Sequence, residues 1–206
     1  MRSIHRPRQG FTLFELLVVI ALISIMATIA TPNFLRLIQR SKLTGMAQQT
    51  TVLVRLARQH SIRYNVPTVV LLDLTNEQVV AFVDVDGAGL GSPPDRVFNP
   101  VAGQPHRSTD FELARYTLPP RVEWRAPTAQ LIVNGFTNDG TQQVAIFDPN
   151  GSARDAGAFR IADAYDNFLE IRVAPATTGR VRLRKWHEAD GKWYIRNETD
   201  KPWEWK

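Results

Sequence analysis

The chain has 206 residues, 44% of them apolar and 22% charged, with 12 glycines, 13 prolines and no cysteine. That composition excludes a disordered or collagen-like polymer and suffices for one domain with an appendage. The lack of thiols excludes disulfides, thiol nucleophiles and sulfur-ligated metal sites. The formal charge of +5 is modest for this length, so the placement of charges matters more than their sum.

The first element in chain order is an apolar run over residues 13–30 whose only charge is Glu15. It has the length of a membrane-spanning helix. Arg2, Arg6 and Arg8 precede it without an acidic residue, so the positive-inside rule keeps the N-terminus in the cytoplasm and sends the remainder across. Three explanations fit such a segment: a removed signal peptide, a plain single-pass anchor, or a processed anchor that stays in the mature protein. Glu15 discriminates among them. A carboxylate inside an apolar helix costs roughly 2.5–3.5 kcal/mol at the centre of a span and less near its end, so it needs a partner or a task. A cut between Gly10 and Phe11 would create an α-amino group four residues before Glu15, one helical turn away, on the same chain or on a neighbouring helix.

The string Arg8-Gln9-Gly10-Phe11-Thr12-Leu13-Phe14-Glu15-Leu16-Leu17-Val18 resembles the prepilin signature of type IV pilins and type II secretion pseudopilins. The resemblance implies cleavage after Gly10 by a membrane prepilin peptidase and methylation of the new terminal Phe11. It also implies that Glu15 registers each incoming subunit against its neighbour in a helical filament of pilins. Loss of residues 1–10 removes three arginines, leaving 22 basic and 20 acidic side chains and a net charge of +2.

Pro32 removes one backbone hydrogen bond and is expected to kink the helix, to open it locally, or only to mark the membrane exit. Beyond it the helix is expected to reach about residue 62. Leu43, Met46, Thr50, Leu53 and Ala57 form a stripe that packs on the rest of the chain, while Gln39, Arg40, Gln48, Gln49, Arg55 and Arg58 fall off it. From Val66 onward short β-rich runs follow at 68–74, 78–85, 111–118, 122–126, 131–134, 143–147, 168–174, 180–186 and 192–195. Turn signals at Asp86-Gly87, Asp139-Gly140, Asp148-Pro149-Asn150-Gly151 and Asp190-Gly191 point to antiparallel pairing, and the loop over 91–110 holds four prolines. The expected fold class is α+β: a long N-terminal hydrophobic helix packed on a mostly antiparallel, two-sheet β domain. The order of the run over 68–74, the Asp86-Gly87 turn, the segment over 144–151 and Gly179-Arg180-Val181-Arg182 resembles minor pilins of the GspH/FimT class. The organisation this implies is a leader over 1–10 and a helix over 11–62, membrane-spanning over 11–31 and amphipathic over 32–62. A periplasmic β-rich domain with a Trp-rich extension then covers 63–206.

Signals for chemistry are few. His5, His60, His106 and His187 are scattered, and no hydrolase or zinc motif is present. Gly87-Ala88-Gly89-Leu90-Gly91 lacks a P-loop lysine, and Asp84 with Asp86 supplies too few ligands for an EF-hand. No cofactor, metal or enzymatic activity is implied. In a strand, Arg180, Arg182 and Arg184 would share one face with Val181 and Leu183 on the other, and Arg172 could join the ladder. Trp186, Trp193, Trp203 and Trp205 follow, beside Lys185, Lys192 and Arg196. In some members of the resembled class a Gly-Arg-x-Arg stretch takes part in binding DNA during uptake. Three readings stay open for this region: a DNA or sugar contact, the solvated side of an outer strand with tryptophans covering the sandwich end, or a protein contact in a filament-tip complex. The whole is read as a minor, initiating or tip-proximal subunit of a type IV pilus or type II secretion pseudopilus. Such a subunit is stored in the bacterial inner membrane and then assembled into a periplasmic or surface filament.

Overall fold

The computed structural model describes residues 11–85, 110–138, 143–195 and 203–206. The Asp86-Gly87 and Asp139-Gly140 turns, almost all of the loop over 91–110, His5, His106 and Arg196 lie outside the described residues. One helix, α1 (Leu13–Tyr64), opens the fold, ending two residues beyond the expected limit. It runs through Pro32 as helix. The described residues fall into two compact units, the helix up to Ile38 and the chain from Gln39 onward.

In the first unit the helix exposes its large apolar side chains on all sides, from Leu13 and Phe14 to Leu35 and Leu37. Its three hydroxyls in this stretch bond backward to carbonyls one turn earlier: Ser24 to Ile20 (2.8 Å), Thr28 to Ser24 (2.9 Å) and Thr31 to Ala27 (2.7 Å). Each donor is thus satisfied without water, which suits an apolar surrounding. The segment is long and apolar enough to cross a membrane.

The second unit packs the later part of α1 on two antiparallel sheets. The first sheet has the order β3 (Phe111–Thr117), β2 (Gln78–Val83), β1 (Thr68–Asp73), β7 (Gln143–Phe147) and β6 (Thr137–Asn138). The second has the order β11 (Lys192–Ile195), β10 (Val181–His187), β9 (Phe168–Val173), β8 (Gly157–Asp163) and β4 (Val122–Glu123), with β5 (Val133–Asn134) also on β8. Leu43, Met46, Thr50, Leu53 and Ala57 are all 2% exposed or less, as the helical spacing requires. Leu43, Met46, Leu53 and Ala57 join Val70, Ala81, Phe147, Phe159 and Ile171 from both sheets in one core. Gln39 departs from its expected place off the stripe and is buried. The Thr68 hydroxyl donates to the Ala57 carbonyl at 2.8 Å and fastens the start of β1 to the helix.

The sequence reading contains neither the short β6 nor β8, and all seven residues of β8 are buried. Gly-Ala-Phe-Arg-Ile-Ala-Asp has neither β-branched enrichment nor apolar alternation, because both of its faces are covered. Asp163 closes the β8–β9 hairpin by accepting from the Tyr165 and Asn167 backbone amides at 2.9 and 3.0 Å. The expected run over 122–126 shrinks to Val122–Glu123, and that over 131–134 to Val133–Asn134.

The helix is keyed to the sheets by Arg58, whose Nε donates to the Gly151 carbonyl at 2.8 Å. Gly151 ends the Asp148-to-Gly151 turn at φ +79°, and Gly179 ends the 3₁₀ turn Ala176–Thr178 at φ +55°. A Cβ at Gly179 would lie 2.8 Å from the Gly151 oxygen and 3.1 Å from Arg58 Cδ and Nε. Gly179→Ala is therefore expected to lower unfolding free energy by about 1–3 kcal/mol through a left-handed backbone and a backbone clash, read as a fall in the urea midpoint. An unchanged midpoint would mean that Arg58 does not need this notch.

Candidate functional site

At the N-terminal end of the described chain, Gly10 lies outside the described residues, and Phe11 is exposed and precedes the helix. Thr12 is the residue that starts it. Its hydroxyl accepts from the Glu15 backbone amide at 3.2 Å while its carbonyl accepts from Leu16, also at 3.2 Å. This is one half of a capping box, and the Thr-x-x-Glu spacing that announces it was legible in the sequence. The helix begins at Leu13, so Phe11 precedes its first turn. Glu15 then sits in that first turn, at the positive end of the helix dipole, where a carboxylate is favoured by about 0.3–1 kcal/mol. Pro32 lies within the same exposed apolar segment.

The basic C-terminal strands are arranged differently from a free arginine ladder. Val181 is buried and Leu183 packs against the core, as alternation requires, and Arg182 sits directly opposite Arg172 in the β9–β10 register. Arg184, however, is opposite Glu170, and Glu170 is opposite Arg160 on β8. Glu170 is fully buried. Its Oε2 accepts from Arg160 Nε at 2.9 Å, and its Oε1 accepts from both Nε (2.9 Å) and Nη2 of Arg184. Arg160 also donates to the Leu131 carbonyl at 2.6 Å and lies 5.3 Å from the centre of the Trp193 ring. Arg184 thus serves as a counter-ion to Glu170. A buried carboxylate requires such partners. Sequence reading missed Glu170 and Arg160 because their pairing depends on strand register. Arg180 lies just before β10 and is exposed.

The tryptophans turn into the domain. Trp186 and Trp193 meet across the β10–β11 pair at 5.2 Å, and Trp193 Nε1 donates to Gln130 Oε1 at 3.1 Å. Trp203 Nε1 donates to the Tyr194 carbonyl at 3.3 Å, and both Trp203 and Trp205 pack on the main core. Trp205 also lies 4.9 Å from the Lys185 amine. The last residue is held at both backbone groups: the Lys206 amide donates to Asn167 Oδ1, and Arg40 Nη2 donates to the Lys206 carbonyl, each at 2.9 Å. Of the expected readings, the covering role is the one these contacts match. Among the described residues, no group of three or more side chains is placed to hold a metal ion.

Residues 5–31 match the family model described as Prokaryotic N-terminal methylation motif. The chain thus carries, with a single long apolar N-terminal helix behind it, the motif of type IV pilins and pseudopilins. Among solved structures it is similar to the minor pseudopilin EpsH from the type 2 secretion system of Vibrio cholerae, at 12% identity over 69% of this chain and 95% of that one, with a TM-score of 0.43. It is also similar to the type IV minor pilin FimU of Pseudomonas aeruginosa, at 10% identity over 70% and 89% of the two chains, with a TM-score of 0.40. No curated protein matches the chain.

Two outcomes follow from the basic strands. Glu170→Gln leaves the buried Arg160 and the half-buried Arg184 without a counter-charge and is expected to cost about 3–5 kcal/mol, measured by urea unfolding of the detergent-solubilised chain. Lys185 is buried, and its amine is pushed from 10.5 down to about 8, first by loss of water. Lys206 and Arg40 push the same way, against the pull of Asp163 and Glu204. Between about pH 8 and 10.5 the unfolded chain binds this proton more tightly than the folded one, so stability rises with pH across that window. The gain in urea midpoint from Lys185→Met should be largest at pH 8 and below and shrink toward pH 10.5. A gain constant with pH would contradict the assignment.

Proposed function

We propose that the chain is a non-enzymatic structural subunit of the type IV pilin and type II secretion pseudopilin kind. It is cleaved between Gly10 and Phe11 by prepilin peptidase and methylated on Phe11. The inner membrane holds it, N-terminus in the cytoplasm and globular part in the periplasm, until it joins a filament. The observation that carries this reading is the methylation motif over residues 5–31, which leads directly into a helical segment whose apolar side chains are exposed. Burying apolar surface is worth about 25 cal/mol per Å², so such a segment demands lipid or other helices around it. The two surroundings are nearly equivalent for Leu, Ile and Phe. A subunit can therefore wait in the bilayer and later be buried in a filament core without a large change in hydrophobic free energy.

Glu15 makes the transfer directional in this reading. In the bilayer it is an unfavourable charge, relieved only in part by the Thr12-capped helix end. In the filament the methylated amine of a neighbouring Phe11 neutralises it, so the correct axial register is the favoured one. The resemblance of its turns and Gly179-Arg180-Val181-Arg182 to the GspH/FimT class supports reading it as a minor component, acting in filament initiation or at the tip. A role in binding DNA or in adhesion through Arg180, Arg182 and Arg184 has less support, since Arg184 is paired with Glu170 and Trp203 and Trp205 pack against the core.

Mass spectrometry of the chain from native membranes should find a mature form that starts at N-methylated Phe11. A start at Met1, or near Thr31, overturns the reading. Glu15→Val should still insert and be cut, yet enter filaments several-fold less than the wild type. Undiminished incorporation would remove Glu15 from the assembly role.

A further inference from the structure

Arg55, Arg58 and Gln59 of α1, the 3₁₀ turn with Pro175 and Thr178, and Arg180 before β10 enclose a recess of about 670 Å³ in the globular unit. No carboxylate is among the residues that line it. Elsewhere five arginines of the domain are neutralised by its own acids: Arg115 by Glu112, Arg125 by Asp166, Arg154 by Asp148, and Arg160 and Arg184 by Glu170. In the recess Arg55 and Arg58 meet uncharged acceptors. Arg58 Nε donates to the Gly151 carbonyl at 2.8 Å, and Arg55 Nη2 approaches the Val181 carbonyl at 3.5 Å. Neutral acceptors orient a guanidinium and leave its charge uncompensated. Gly179 also leaves no Cβ where the Arg58 side chain passes, since one there would lie 3.1 Å from its Cδ and Nε. Three like charges around one cavity are tolerated at lowest cost when an anion enters it.

We propose that this recess binds an acidic peptide segment of a protein partner, with an Asp or Glu side chain entering among Arg55, Arg58 and Arg180. Guanidinium forks match a carboxylate two bonds at a time, and the Gln59 amide and Thr178 hydroxyl supply uncharged hydrogen bonds for the peptide backbone beside it. Two features favour a peptide over a nucleic acid. No aromatic residue lines the recess, so bases have no stacking surface. The cations also converge on one cavity, whereas a phosphate backbone asks for charges strung along a groove. The recess is independent of N-terminal processing, so an unmodified Phe11 would leave it standing.

The test uses the full-length chain in detergent micelles, titrated calorimetrically with hexaglutamate at low salt. Salt-sensitive binding is expected, weakened about tenfold by Arg55→Gln and by Arg180→Gln. Arg121→Gln, an exposed site away from the recess, should leave it unchanged. Thermal unfolding of each variant separates lost binding from lost fold. If either glutamine variant melts early, the lysine variant at that position replaces it, and undiminished binding there counts against the proposal. Parallel titrations use inorganic phosphate and oligothymidylate. Failure of hexaglutamate to bind, equal binding by all variants, or tighter arginine-dependent binding of phosphate or oligothymidylate overturns the acidic-peptide assignment.

Discussion

The governing constraint on this protein is that the first 25 or so residues of α1 carry apolar side chains on every side of the helix and have no cover of their own. A helix of this kind is not stable in water as a free surface. It has to be dissolved in lipid or packed among other helices. The local chemistry is consistent with that environment throughout. Ser24, Thr28 and Thr31 spend their hydroxyl protons on the preceding turn, and Thr12 caps the helix start. Glu15, the one charge between Leu13 and Ala30, lies where the helix dipole opposes its cost. The proposed life of the protein, storage in a membrane followed by burial in a filament, is the consequence of a surface that has two acceptable solvents and excludes water.

The globular unit obeys a different rule, that buried polar groups must be paired. Its core is an ordinary meeting of one helix stripe with the inner faces of two sheets. On its other face the second sheet carries a fully buried carboxylate between two arginines, roofed in part by Trp193 and the segment that contributes Gln130 and Leu131. This arrangement consumes much of what looks in the sequence like a basic, aromatic binding surface. Arg160, Arg184, Trp193, Trp203 and Trp205 are structural parts of the domain. The arginines around the recess at Arg180 differ because carbonyls orient them and no acid among the lining residues answers them. Function is therefore to be sought where the domain has left its charge uncompensated.

Much of this protein was legible without coordinates, and the parts that were legible share a cause. The apolar run, its arginine-rich flank, the Gly-Phe-Thr-Leu-Phe-Glu string and the stripe from Leu43 to Ala57 are local patterns, fixed by spacing along one helix. The antiparallel hairpin ending in the turn before Gly191 could be read from residue preferences alone, and Gly191 indeed adopts φ +59°. The capping role of Thr12 was equally local. It could have been inferred from Thr-x-x-Glu, yet the Phe11-to-Glu15 spacing suggested a longer helix instead.

Tertiary structure alone decided the rest. β8 has no strand signature, since a strand covered on both faces loses the alternation that would reveal it. The partnership of Glu170 with Arg160 and Arg184 depends on the register of three strands, and a slip of one residue would turn each side chain to the opposite face. The recess joins residues more than a hundred positions apart. Sequence determines what each segment prefers within a few residues, because helix and strand periodicities act at short range. Which charges meet across the chain is set by how those segments pack, and that follows from the summed burial of the whole domain.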